Sequence, residues 1–244
     1  MTREVMVDLT WRQVRRWRIR RQLLLEPAPD AVAVARRLGG VHAQVASAGA
    51  LIAGIRCTGR ADLDLARREL VRTWAARGTL HLLPADELDL WVGALTARES
   101  RRRFPPAFER AHGVTGAQLH AITDAIGEVL GAEPLTRAEL AAAVVAHLGD
   151  PAIEGPLSTG WGMLLKPAAA RGLLCSGPAV DGAVTFVSPA GWLGRPLAPP
   201  PAEEAERAVL LRFLEANGPA TSVDVSRWWG EQPAPAKRAI RAAG

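Results

Sequence analysis

The sequence predicts a mainly α chain with small β-hairpins, arranged as tandem winged-helix units, and three observations carry that expectation. The first is a repeat. Ala75-Ala76-Arg77-Gly78-Thr79-Leu80 and Ala169-Ala170-Arg171-Gly172-Leu173-Leu174 share the pattern AARG-x-L. In each copy an apolar-periodic stretch (Leu70, Val71 and Trp74; then Met163, Leu164 and Pro167) reads as a helix ending at a glycine suited to a left-handed cap. The second is a set of helix starts: Thr10 with Gln13, Thr136 with Glu139, and Thr221 with the shorter-armed Asp224 each place a capping hydroxyl three residues before an acceptor. The third is Leu197–Pro201 (LAPPP), a stiff linker that sets the last segment apart. Helices followed by a glycine-entered hairpin are the order of a winged helix, and here the order occurs twice.

Taken in chain order, a helix from Thr10 opens the first unit, and a second helix presents Val34 and Leu38 before Gly39-Gly40 breaks it. Thr79–Leu83 alternates as a strand entered at Gly78, with Thr79 and His81 on one face and Leu80 and Leu82 on the other. In the second unit Gly172 leads into Leu173–Cys175. Gly177-Pro178 and Asp181-Gly182 then turn the chain into a returning strand, Val184–Val187. Glu203–Asn217, Thr221–Gly230 and Ala234–Ala243 read as three further helices without a wing. The units are expected at 8–112, 113–194 and 203–244. The third would bury its core poorly alone, so the natural protein is expected to continue past Gly244.

Composition narrows the function classes. At 244 residues and 48% hydrophobic, the chain can bury a core, and its longest apolar runs, such as Ala141–Ala146, are too short to span a bilayer. Asp8, Arg12, Arg15 and Arg16 interrupt any signal-like apolar stretch, which points to a cytoplasmic, nucleoid-associated protein without a membrane partner. Cys57 and Cys175 form no metal-ligand spacing and read as two buried thiols. No metal is expected. The net charge is +5, and with Lys166 and Lys237 as the two lysines the other 28 cations are arginines. High-GC coding accounts for part of that excess, but not for Trp11–Arg21 (WRQVRRWRIRR), six arginines and two tryptophans in eleven residues. This cluster is an electrostatic footprint for phosphate, led by Arg12, Arg15 and Arg18.

The common catalytic signatures are absent: no GxSxG, no P-loop, no HExxH. His112, His120 and His147 read as surface or helix-packing residues. His42 and Gln44 differ. In a helix they would diverge by about 200°, whereas in an extended stretch after Gly39-Gly40 they point the same way, with Val41, Ala43 and Val45 packed behind. From physics alone a polar loop edge is the favoured account of the pair, as a backbone-satisfied, partly buried histidine is of His81.

Leu38–Gln44 (LGGVHAQ), Ile55-Arg56, Arg72-Thr73-Trp74 and Arg77–His81 (RGTLH) resemble the bacterial winged-helix DNA glycosylases, the family of azinomycin-crosslink-unhooking enzymes and related self-resistance and repair proteins. The likeness extends through GWGMLLKPAAARG and NGPATSVDVSRWWG. It implies three winged helices around a concave DNA-binding face. It implies further that Arg56, Arg77, Thr79 and His81 join the α-helical arginines in DNA binding. The family's catalytic motif is Gln-aliphatic-Gln or Gln-aliphatic-Asp, and it aligns with His42-Ala43-Gln44, so His42 and Gln44 are the implied catalytic residues. Histidine in the first place is similar to the branch linked to bulky intercalating guanine adducts.

The resemblance implies a monofunctional glycosylase acting as a monomer on duplex DNA carrying an N7- or N3-alkylated purine. Such a base already bears positive charge and leaves without a general acid, so the protein has to place a water at C1′ and stabilise the sugar cation. Gln44 would orient the water through its amide oxygen, and a neutral imidazole at His42 would accept its proton. No cofactor is required. A winged-helix regulator or a lesion sensor without chemistry suits the tandem units and basic helix as well. The polar pair after Gly39-Gly40 and the lack of a dimerisation helix speak for the enzyme.

Overall fold

The structure, a computed structural model, describes residues 8–59, 61–159 and 162–243. Gly160 and Trp161 of the GWG segment, and Gly244, lie outside the described residues. Thr10 caps α1 (Trp11–Arg21) with Gln13 in a full capping box, and the Asp30 carboxylate caps α2 (Ala31–Leu38). Then come β1 (Val41–His42), α3 (Ala46–Gly54), the hairpin β2 (Leu70–Trp74) and β3 (Leu80–Pro84), α4 (Leu88–Ser100) and α5 (Pro106–His112). The second half carries α6 (Gly116–Val129), β4 (Leu135–Thr136), α7 (Arg137–Leu148), α8 (Glu154–Ser158), α9 (Lys166–Ala170), β5 (Cys175–Ser176), β6 (Thr185–Val187) and α10 (Pro189–Leu193). The chain finishes with α11 (Ala202–Asn217), α12 (Ser222–Trp229) and α13 (Pro233–Ala243). Thr136 and Thr221 make the capping boxes expected of them, and Thr115 with Gln118 makes a fourth that the sequence reading passed over.

The fold is thus mainly helical around one small antiparallel sheet of order β1-β3-β2-β5-β6-β4. In each half a short strand pairs with the last strand of the hairpin that follows it: Val41 with Leu82, and Leu135 with Phe186. The two hairpins meet through the pair Arg72–Ser176, so their strands form a continuous sheet. One face of the sheet, with Val71, Leu83, Cys175 and Val187, packs on α4, whose Trp91 is fully buried, and on Val209 of α11. The other face divides. Trp74, Leu80 and Phe186 join the core of α6, α7 and α9, while Val41, Leu70 and Leu82 join α2 and α3. Each such Leu, Val or Phe contributes about 1.5–3 kcal/mol by leaving water. A smaller core holds Leu210, Phe213, Val225 and Ala236 between α11, α12 and α13.

Several expectations change. Leu70–Trp74 is a strand, not a helix: its apolar spacing suits both periods, but Val71 and Thr73 are β-branched and all five residues pair with β3. Gly78 therefore lies at the apex of the first hairpin rather than at its entrance. Arg77 and Gly78, at φ 55° and 64°, supply the two left-handed residues of a tight turn. Asp181-Gly182 turns the second hairpin in the same way, at φ 50° and 78°. Gly172, by contrast, follows a helix, as expected, so the two AARG copies have different structures. The first hairpin does not close residues 8–112, because α4 and α5 follow it. Cys175 is buried, whereas Cys57 is only partly so. No helix among the described residues is long and apolar enough to cross a membrane.

Candidate active site

The break at Gly39-Gly40 builds the site. Gly39, at φ 67°, caps α2 in the left-handed region, and Gly40 follows at φ 96°. A Cβ on Gly40 would lie 2.9 Å from Leu83 Cδ2 and 3.5 Å from His81 Cδ2, so the chain can press against β3 here only without a side chain. It leaves extended: Val41 and His42 pair with Leu82 and His81, and the Ala43 N–H donates to the Leu80 carbonyl at 2.8 Å. Val41 and Ala43 are buried, while His42 and Gln44 turn to the opposite, more open side. Val45 does not pack behind them. It is 60% exposed, because α3 starts there and turns it away from the sheet.

Cross-strand register puts His42, His81 and Thr73 side by side on one face of β1, β3 and β2. The two imidazoles meet edge to face with ring centroids 5.3 Å apart. His81 is 5% exposed, and its Nδ1 lies 2.9 Å from the Thr79 carbonyl. A carbonyl only accepts, so Nδ1 carries the proton and Nε2 keeps its lone pair. Burial above all drives the His81 pKa down to about 4, with His42, Arg77 and Arg98 adding repulsion against a raising contribution from the Thr79 carbonyl. The Thr73 hydroxyl beside it is buried without a hydrogen-bond partner among the described residues.

The low His81 pKa ties stability to pH. Unfolded, a histidine titrates near 6.5. Above that pH both states are neutral and stability is complete. Between pH 6.5 and about 4 the unfolded chain takes up the proton first, and stability falls by up to about 1.4 kcal/mol per pH unit. Denaturant unfolding at pH 7.5, 5.5 and 4.5 should show this loss, and His81→Gln should lose clearly less over the same interval. Equal losses in the two proteins would assign the acid sensitivity elsewhere.

Gln44 is held from two sides. Its Oε1 accepts from the Leu80 N–H at 3.0 Å, which fixes the amide orientation and leaves the NH2 group and one oxygen lone pair free. Arg72 Nε donates to the Ala43 carbonyl at 3.1 Å and Nη2 reaches the Gln44 carbonyl at 3.4 Å. Burial lowers the Arg72 pKa, yet the side chain stays cationic and clamps the backbone of the motif. Nothing in the sequence alone marks Arg72 for this role, because the run around it reads as a helix, in which Arg72 would not reach the Ala43 and Gln44 carbonyls.

The remaining site residues divide by occupation. Arg12 and Arg15 are exposed on α1, and Arg77 is exposed at the hairpin apex. Arg18 is engaged within the protein, Nη2 donating to the Pro219 carbonyl at 2.8 Å, as Arg21 does to Glu215 at 2.7 Å. Arg56 is half-buried, bonded at 2.9 Å to the Gln22 and Ile52 carbonyls. Thr79 Oγ1 donates to the Ala76 carbonyl, and its own carbonyl holds His81. His42, Gln44, Thr79 and His81 are therefore one neighbourhood, and Arg18 of α1 lines a cleft together with Arg77 at the hairpin apex. The arrangement offers an imidazole, a fixed carboxamide and a second, neutral imidazole on an open sheet edge. It suits water activation without a metal ligand set.

Three comparisons place the chain among known proteins. The family model described as DNA glycosylase AlkZ-like matches residues 35–244. The chain is 39% identical over 227 residues to a Streptomyces sahachiroi protein named interstrand DNA cross-link repair glycosylase, covering 90% of this chain and 60% of that one. It is similar in structure to the Streptomyces sahachiroi DNA glycosylase AlkZ, with a TM-score of 0.85 and 34% identity over 98% of this chain and 66% of the other. The chain thus spans about 60% of the length of the curated relative it matches.

Proposed function

Because this chain belongs to the DNA glycosylase AlkZ-like family, we propose that it hydrolyses the N-glycosidic bond of alkylated purines in duplex DNA. The substrates of this reading are N7- or N3-adducted bases, bulky natural-product adducts included, and the setting is base excision repair or resistance to a genotoxin. The observation that carries it is the extended His42-Ala43-Gln44 segment, with Gln44 pinned to Leu80 and His42 seated against His81. An alkylated purine leaves as a neutral base once the C1′–N bond breaks, so catalysis falls on the water and the sugar cation. The fixed Gln44 amide holds the water through its free oxygen lone pair or its NH2 group. His42 takes the proton as the oxygen bonds to C1′. Arg72 acts behind them by holding the Ala43 and Gln44 carbonyls in place. His81, neutral and locked through Nδ1, sets the ring against which His42 rests.

Incubation of the protein with duplex DNA carrying one defined N7-alkylguanine should release free base under single-turnover conditions. Intact substrate bound tightly at that lesion would favour a sensor, and binding indifferent to the lesion would favour a regulator.

DNA affinity in this reading draws on the exposed α1 cations. Arg12→Gln with Arg15→Gln should weaken binding to every sequence alike and make the plot of log K against log salt shallower by about 2, at roughly 0.9 per phosphate contact. Arg18 is left out of that variant because its guanidinium already serves Pro219. A slope equal to the wild type's in a salt titration would remove α1 from the DNA footprint.

A further inference from the structure

We infer that the cleft between the β2–β3 turn, the end of α4 and the start of α9 is a seat for one phosphodiester of the bound DNA strand. The inference rests on the chain acting on DNA, and it names a contact outside both the catalytic neighbourhood and α1. The cleft encloses about 620 Å³ and is lined by Arg77, Arg98, Arg101, Arg102 and Lys166 against two carboxylates, Glu99 and Glu231.

The internal pairing leaves cations over. Arg101 binds Glu231 and Glu206, and Arg102 binds Glu99 at 3.2 Å. Arg98 is committed to backbone, donating to the Trp229 carbonyl at 2.7 Å and to the Ala75 carbonyl. The side chains of Arg77 and Lys166 make no ion pair or hydrogen bond among the described residues, and both reach the same cleft. The Lys166 ammonium sits against the turn, 3.5 Å from where a Cβ on Gly78 would be. Burial lowers its pKa, and the charges of Arg102 and Arg98 lower it further. An ammonium held in this way, half out of water and among like charges, is stabilised by an anion arriving from outside.

The cleft's form suits a phosphate oxygen pair. Trp74, Met163 and Ala170 give it apolar walls, which strengthen any charge pairing made inside. Its rim is rigid as well. Arg77 has φ 55°, and Gly230 at the end of α12 packs so closely that a Cβ there would come within 2.9 Å of Arg77 Cα. The backbone that carries Arg77 is therefore fixed before the ligand binds. The turn leads directly into Leu80 and His81, so a phosphate seated here is on the same hairpin as the proposed chemistry.

Undamaged duplex DNA, titrated against the full chain over a range of salt, tests the seat without requiring excision. Arg77→Gln, Lys166→Gln and the double variant should each make the salt plot shallower by about 1, without adding, because they share one phosphate. Binding should weaken roughly tenfold or more. Lys166→Gln should also melt no lower than the wild type, since it removes an uncompensated cation. Arg110→Gln, an exposed cation on α5, should keep the wild-type slope. Wild-type slope and affinity in the folded Arg77 and Lys166 variants would overturn the proposal, as would an equal loss in Arg110→Gln. If Lys166→Gln fails to fold, the exposed Arg77 decides alone. A shallower slope from a protein that releases no base would keep the seat and sink the glycosylase reading; the reverse result would do the opposite.

Discussion

Replacing His42 and Gln44 together by alanine should cut single-turnover release of a cationic guanine adduct by about 10²–10⁴-fold, the usual loss for general-base and water-positioning groups. Affinity for the same duplex should change little, because neither side chain belongs to α1 or the cationic cleft, and in the proposed mechanism both act chiefly in the transition state. The truncation is structurally mild at His42 and Gln44, which lie on the open side of β1 while Val41 and Ala43 keep the buried side. His42→Gln gives Gln-Ala-Gln, the Gln-aliphatic-Gln form that the resemblance implies for the family. It should retain part of the activity, since an amide orients water but takes no proton. Single-turnover rates separate these outcomes, and wild-type release from the double alanine variant would end the assignment.

Glu87→Ala should lower stability by about 3 kcal/mol, read as a melting temperature roughly 6–12 °C lower in a thermal scan. Glu87 is 8% exposed, and its Oε1 accepts from Arg36 Nη1 at 2.9 Å and Arg212 Nη2 at 2.7 Å. One carboxylate thus joins α2 to α11, far apart in sequence, and its loss faces two guanidinium groups with each other. Those groups are 40% and 33% exposed, so water screens part of the repulsion, which sets the effect at the low end for breaking a buried pair. Glu87→Gln, which keeps an acceptor but no charge, should fall between. A melting temperature within 2 °C of wild type for Glu87→Ala would show that the clasp contributes little.

Local chemistry made much of the fold legible. Three threonines with acceptors three residues on marked helix starts correctly, and Gly39-Gly40 marked the break that turns His42 and Gln44 to one side. The failures share a cause: contacts between distant segments decided them. Leu70–Trp74 became a strand through its pairing with β3, and a five-residue apolar run cannot announce its partner. The AARG repeat looked like two copies of one device, yet the first copy is a turn between paired strands and the second a helix end. In the site, Arg72, the lock on Gln44 from Leu80 and the depressed His81 pKa all depend on register across the sheet. Arg18 and Arg56 read as free cations in sequence; carbonyls of remote or refolded backbone had already taken them.

The docking of α1 has a consequence for how the chain is made. Arg18 bonds to a carbonyl 201 residues further on, and Arg21 to one 194 residues on. At translation rates of about 5–20 residues per second, roughly 10–40 s pass between the synthesis of Arg18 and that of its acceptor. During that time the most arginine-rich segment of the protein has left the ribosome and has no seat for two of its guanidinium groups. β1 and the first hairpin can pair with one another early, because those pairings lie within the first hundred residues. The basic helix cannot, because its seat forms only once α11 and the segment after it have been made.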